Sequence, residues 1–358
     1  MIGHNYLGHK TADIEEILKK VGVVVESGKM TLGPALEDFE RAFAAYVCVK
    51  HAIGVASGTD ALFLSLKVLG VDGGEVITSP YTFYATVGAI VAAGATPVFV
   101  DIGPDLNIDP DKIDDKITAN TRAIIPVHWA GTPCNMPLIK GRYPVIEDAC
   151  QAVGAKHNHR MAGSMGDLGC FSLHPLKNLH VWGDGGIITT DNDAHANALR
   201  LLRNHGLTDR DTWAVCAYNS RLDPVQAAVA LHYLPRVSVV NARRNAIASE
   251  YRSRLSKVAQ IRFPSIADSV YPSYHLLIVL AERRDALREH LKSRGIDAKV
   301  HYPTPLHLQP AMQRFGYKAG DFPIYEHAIK DVLSLPVHEF LLSADVETVC
   351  DAIKEFYK

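Results

Sequence analysis

Apolar positions along this chain recur with two different periods. In residues 11–27 (TADIEEILKKVGVVVES) and 34–47 (PALEDFERAFAAYV) they return every three or four residues, which predicts amphipathic helices, the first ending at Gly28. Short β-branched runs then alternate with further helical segments. Residues 51–57 (HAIGVAS) predict a strand, and 58–71 (GTDALFLSLKVLGV) a helix directly after it. Residues 75–79, 96–102, 122–128 and 143–149 (EVITS, TPVFVDI, RAIIPVH and YPVIEDA) predict four more strands, with a helix over 82–94 (TFYATVGAIVAAG). Strands alternating with helices imply parallel pairing, with helices covering both faces. Runs as apolar as AIIPV and PVFV suit strands buried on both sides.

Beyond residue 240 the alternation gives way to a long charged helix, 241–258, and then to isolated elements at 274–281, 283–295, 298–303 and 345–357. The expected architecture is α/β in two domains. Residues 1–240 form a three-layer large domain with a mostly parallel sheet, and residues 241–358 a smaller C-terminal α+β domain. A chain of 358 residues is long enough for two cores. Lys plus Arg (37) nearly balances Asp plus Glu (39), so no overall field draws the chain to nucleic acid or an anionic membrane, and an anionic ligand needs a local site. The longest apolar stretch, Tyr84 to Val100, is broken by Thr and Gly and falls short of a spanning helix. The N-terminus has no apolar core of signal-peptide type. Six cysteines show no metal-ligand spacing, no metal site is expected, and Cys150 and Cys170 read as small core residues. These features together predict a cytoplasmic protein.

Four stretches carry candidate chemistry. In VASGTDALF a strand ends, Gly58 allows a tight turn, and a helix begins near Thr59, whose free N–H groups suit an anion; a plain capped turn fits the same text. In SPYTFYAT, Phe83 stands at the C-terminal edge of the sheet, where it can stack on a planar ring or serve as core. In PVIEDACQAVGA a buried strand ends in Asp148, with Gln151 three residues on. A carboxylate there needs a cationic partner, such as a protonated pyridine nitrogen, or else it caps the next turn. In CFSLHPLKNLHVWGDGG, Ser172 closes a strand and Lys177 follows before a glycine-rich turn. A lysine there is either solvated or desolvated, and desolvation frees its amine as a nucleophile. An anion cradle, a stacking aromatic, a carboxylate for a ring nitrogen and a lysine for a Schiff base are together the parts that hold pyridoxal 5′-phosphate.

Those segments, with TLGPALEDFERAFAAY, YNSRLDPVQAAV and HYPTPLHLQPA, resemble in order the DegT/DnrJ/EryC1/StrS sugar aminotransferases of aspartate-aminotransferase fold type I. The resemblance implies that Lys177 forms the Schiff base and shuttles the proton. It implies that Asp148 keeps the pyridine nitrogen protonated, Gln151 touches the ring hydroxyl side, and Phe83 stacks on the ring. Gly58, Thr59 and Ser172 would bind the phosphate. Asn219 would reach the phosphate of a neighbouring subunit, with Arg221 beside it, implying a homodimer with shared sites. His301 and Tyr302 match positions at the mouth of the site, where a structural role is equally open. A subset of the family has histidine at the lysine position and dehydrates sugars; lysine here favours transamination. The loop KNLHVWGDGG is one residue longer than the common TTGEGG-like form and is similar to that of enzymes aminating the 3-position of keto-sugars. His180 and Trp182 in it are expected to shape the substrate pocket. The helix before VIED is expected to be a stub. The reaction this resemblance implies moves an amino group from L-glutamate to a keto-sugar in nucleotide-linked form; a free keto-sugar acid, an aminocyclitol ketone or a dehydration are the alternatives.

Overall fold

The computed structural model describes residues 1–4, 6–9, 13–139, 141 and 143–358. Its helices are α1 (Ile14–Glu26), α2 (Pro34–Val47), α3 (Gly58–Val68), α4 (Tyr84–Ala92), α5 (Met136–Ile139), α6 (Asp193–Leu202), α7 (Pro224–Tyr233), α8 (Val237–Leu255), α9 (Arg284–Ser293), α10 (Pro323–Asp331) and α11 (Ser343–Phe356). The strands are β1 (His51–Val55), β2 (Glu75–Thr78), β3 (Thr96–Phe99), β4 (Thr121–Ile125), β5 (Ile146–Asp148), β6 (Lys156–His157), β7 (Arg160–Met161), β8 (Leu168–Ser172), β9 (Gly186–Thr190), β10 (Ile261–Arg262), β11 (Val270–Tyr271), β12 (Leu277–Ala281) and β13 (Val332–Leu335). The expected starting residues of the first helix, Thr11 and Ala12, lie outside the described residues. The helix before β5 is indeed a stub of four residues.

Two strips, β3-β2-β4 and β5-β8-β9-β1, are joined by parallel bridges Ile124–Val145 and Val127–Asp148 into one sheet. Pairs β2/β3, β2/β4 and β5/β8 are parallel, whereas β9 runs against both β8 and β1. The sheet is therefore mostly parallel, as expected, with one reversed strand. The cause is local: residues 173–185 join β8 to β9 without a helix, so the chain turns back beside its own strand instead of crossing over.

Side chains of β8 and β9 alternate between two cores. Phe171 and Ile187 pack with Phe39, Phe43 and Ala227 from α2 and α7, while Cys170 and Ile188 pack with Leu62, Ile90 and Leu199 from α3, α4 and α6. This makes three layers. A second, antiparallel sheet, β10-β12-β13, packs against α8, α9 and α11 around Ile247, Tyr251, Val279 and Val349. The α8 helix passes from one core to the other, since Val237 belongs to the first and Ile247 to the second. The element expected over 298–303 is reduced to a single bridge, Lys299–Ser334. Among the described residues, no helix is long and apolar enough to cross a membrane.

Candidate active site

A cavity of about 370 Å³ opens at the C-terminal ends of β5 and β8, where the two cores meet. Its floor begins at α3. Ser57 caps that helix by accepting from Asp60 N–H at 3.0 Å, and the preceding N–H groups have no acceptor within the helix, so the end favours an anion. Gly58 is required for close approach: a Cβ there would stand 2.7 Å from Ser172 Cβ and 2.9 Å from Cys150 Sγ. Gly58, Thr59 and Ser172 all line the cavity. Cys170 is buried in the core, but Cys150 is not; it lines the cavity, because the backbone after β5 turns it toward Gly58.

Asp148 ends β5 with 5% of its surface exposed. Thr86 Oγ donates to its Oδ2 at 2.7 Å, and Cys150 N–H donates to its Oδ1 at 3.2 Å. Thr82 Oγ lies 2.6 Å from Thr86 Oγ. Since Thr86 spends its proton on Asp148, Thr82 is the donor of that pair, and a chain of two hydroxyls ends at the carboxylate. Gln151 Oε1 accepts from Ala130 N–H at 2.8 Å, which leaves its amide nitrogen as the donor for a ligand. Phe83 is 48% exposed and stands 5.9 Å from the ring of Tyr302, so its outer face is free to stack.

Lys177 lies on the loop after β8, held on both sides by other residues. Tyr6 OH donates to Leu176 O at 2.6 Å, and Asn178 Nδ2 donates to Asn241 Oδ1 at 2.8 Å and to Ser273 O at 2.9 Å. The residue borders an open cavity, yet its amine is enclosed, and burial lowers its pKa below the ordinary lysine value; Cys150 and Asp148 pull the other way. A desolvated amine beside a carboxylate, an anion-binding helix end and an exposed aromatic form a set that fits a planar cofactor bearing an aldehyde, a ring nitrogen and a phosphate. The absence of a Cβ at Gly58 lets the start of α3 pack against Ser172 and Cys150, which brings its N–H groups to the cavity where the phosphate would sit.

His301 and Tyr302 line the cavity, and burial raises the Tyr302 hydroxyl above its ordinary pKa. The insert residues do not. His180 is buried and stacked on Tyr233 with centroids 4.4 Å apart, and Trp182 sits outside, its backbone bonded both ways to Gln226 at 2.8 and 3.0 Å. They were expected to shape the substrate pocket; in this chain the insert folds back on α7. Asn219 is exposed and away from the cavity, and Arg221 donates to Asn204 Oδ1 at 2.8 Å. His4, Tyr6, His174 and His275 also line the cavity without any sequence signal having singled them out, whereas Thr86 could have been found from its helical spacing to Thr82.

The model of the DegT/DnrJ/EryC1/StrS aminotransferase family matches residues 11–354. A dTDP-3-amino-3,4,6-trideoxy-alpha-D-glucose transaminase of Streptomyces venezuelae is 42% identical over 341 residues, covering 93% of this chain and 90% of that one. The crystal structure of S. venezuelae DesV in complex with a ketimine intermediate superposes with a TM-score of 0.97 at 39% identity, covering 100% of this chain and 98% of that one. NtdA of Bacillus subtilis, solved with bound cofactor PMP, gives a TM-score of 0.88 at 32% identity over 96% and 83% of the two chains. Sheet order, the lysine loop and these likenesses agree, and the chain belongs to the DegT/DnrJ/EryC1/StrS aminotransferase family.

Proposed function

We propose that this chain is a pyridoxal-phosphate-dependent aminotransferase that moves an amino group from L-glutamate to a nucleotide-linked keto-sugar whose ketone is at the 3-position. The observation that carries the reading is the enclosed amine of Lys177 in one cavity with Asp148, Phe83, Gln151, Ser172 and the start of α3. The substrate class is supported by the longer loop after Lys177 and by the 3-amino sugar named for the S. venezuelae relative. When bound, pyridoxal phosphate supplies the electron sink that lets a proton leave the donor's carbon. Lys177 Nζ is the amine that would attach the cofactor, and its lowered pKa would leave it free to take that proton and give it back in a 1,3-shift. Asp148, fixed by Thr86 and the Cys150 N–H, holds the ring nitrogen's proton. Gln151 offers its amide N–H to the ring hydroxyl, Phe83 covers one ring face, and Gly58, Thr59 and Ser172 cradle the phosphate.

Lys177 is the sole lysine or arginine among the described residues lining the cavity. The phosphate's remaining charge is met, in this reading, by Asn219 and Arg221 of a second copy, which makes the enzyme a homodimer with shared sites. Residues 1–240 serve as the cofactor domain and 241–358 as the smaller one, in a cytoplasmic enzyme. The test is spectroscopic. Purified protein with pyridoxal phosphate gains a visible band that L-glutamate bleaches, and borohydride beforehand fixes the cofactor's mass on the peptide carrying Lys177. Protein that stays colourless with added cofactor would refute the assignment.

A further inference from the structure

Part of the cavity wall is built of imidazoles that the reaction above does not use. His4 comes from the N-terminal segment, which is pinned beside residue 296 by Ile2 N–H donating to Gly295 O at 2.9 Å and Asp297 N–H donating to Ile2 O at 2.9 Å. Its ring lies 5.5 Å from that of His301. His301 Nδ1 is 2.8 Å from Ser334 Oγ, which leaves Nε2 as its second polar atom. His275 enters the same cavity from the chain just before β12, where buried Arg244 reaches the Tyr274 carbonyl at 3.1 Å. The Nδ1 atoms of His4 and His275 are buried and, among the described residues, have no hydrogen-bond partner. Three imidazoles from three separate segments thus border one cavity.

Charge decides which ligand. The lining carries two carboxylates, Asp148 and Asp184, against the one amine of Lys177, and Lys177 is engaged by the cofactor. Among the described residues of this chain, the lining offers a donor with two carboxylates no further lysine or arginine. Imidazoles are the groups that can supply a cation by protonation.

Resting on the aminotransferase reading, we propose that His4, His275 and His301 form the subsite for one carboxylate of the amino donor, and that this wall takes up a proton from solvent as the carboxylate enters. In the free cavity burial keeps the three rings neutral. It holds His4 at about 3 and His301 at about 4, and His275 well below its ordinary value. Around His4 stand His301, Asp297, Lys299 and Arg244; around His275 stand Lys177, Arg244, His301 and His4; around His301 stand Lys299 and Lys177. Of these, Asp297 alone is anionic, and Arg244 is paired with Glu339 at 3.0 Å. Tyr6, Tyr302, His174, Asp148 and Asp184 complete the titratable groups of the lining. A carboxylate among the rings pulls the other way and raises them all, favouring the protonated form.

The test uses the cofactor-loaded enzyme and glutarate, a dicarboxylate that cannot transaminate. Calorimetric titration in buffers of different ionisation enthalpy counts protons. The expected result is net proton uptake on binding, with affinity falling by up to about tenfold per pH unit between the rings' free values, about 4 for His301, and the higher value they take in the complex, and levelling off above it. The visible band of the lysine-bound cofactor, which reports the Lys177 proton, stays unchanged. In H4N/H275N the uptake and the pH dependence disappear while the visible band remains. Glutarate that fails to bind, binds without proton uptake, or takes its proton at Lys177 would overturn the subsite. So would a loaded double variant that keeps the uptake. Should that variant not fold, the wild-type proton count still decides. Failure of the aminotransferase reading is seen separately, as protein that never acquires the visible band.

Discussion

Replacing Gly58 by alanine tests the phosphate cradle at its narrowest point. A Cβ at this position would lie 2.7 Å from Ser172 Cβ, 2.9 Å from Cys150 Sγ and 3.2 Å from Ser172 Cα. Contacting carbon atoms sit about 3.5–4.0 Å apart, so the added methyl overlaps two walls at once. Gly58 does not use the left-handed backbone region, and the cost is therefore steric rather than torsional. Relief requires either the end of β8 or the start of α3 to move, and both are packed into the sheet core. Overpacking of this kind costs about 1–3 kcal/mol. If the helix start yields, its N–H groups leave the phosphate position and cofactor affinity falls about 5- to 150-fold. Absorbance titration of the cofactor-free variant with pyridoxal phosphate measures this, and a thermal melt of the same protein gives the share borne by stability. Adding C150A removes one of the two walls, so G58A/C150A should regain part of the loss, as coupled neighbours do. A G58A protein with wild-type affinity and wild-type melting temperature would refute the cradle.

Three further outcomes are expected. T86V removes a buried hydrogen bond to the Asp148 carboxylate, of a kind worth about 1.5–3 kcal/mol; kcat should fall tenfold or more with little change in KM, and T86S should restore it. Glu147 accepts from Gly163, Met165 and Gly166 N–H at 2.8, 2.5 and 2.6 Å and from His128 at 2.8 Å. Burial pushes its carboxyl up, but His128 and those N–H groups outweigh it and hold the pKa below its ordinary 4.5. The stability this contributes is complete above that value and is lost as the pH falls through the lower folded value; urea denaturation across the acid range should show that slope, and E147Q should flatten it. K177A should abolish borohydride-fixed cofactor and transamination while its melting temperature stays at or above wild type, since a desolvated amine is removed and no hydrogen bond of the loop depends on it.

Much of the large domain was legible because its helices and strands carry their own periods: α2, α3, β1 and β2 fall where the apolar pattern puts them. What such periods do not carry is direction and distance. The reversal of β9 depends on the missing crossover, which only the length of the 173–185 connection hints at. The HVW insert has no period, so nothing local says whether His180 turns toward the cavity or, as happens, onto Tyr233. Lys177 and Asp148 were visible because each stands where a buried strand ends beside glycines or a turn. His4 and His275 were not, since they come from segments 271 positions apart in number and share no local pattern. Cys150 was misread for a related reason: composition marks a small apolar residue, but only the turn after β5 decides which way it faces.

The way the loop around position 177 is secured bears on how such an enzyme can change over time. Leu176 is tied by Tyr6 from before and Asn178 by Asn241 and Ser273 from behind, and all of these bonds use the neighbours' atoms. The backbone address is thus specified independently of its occupant. A lineage can exchange the reactive side chain at this address by a single codon change and keep a folded, soluble intermediate on which selection can act. The scaffold inherits the position, and the chemistry is free to be replaced there.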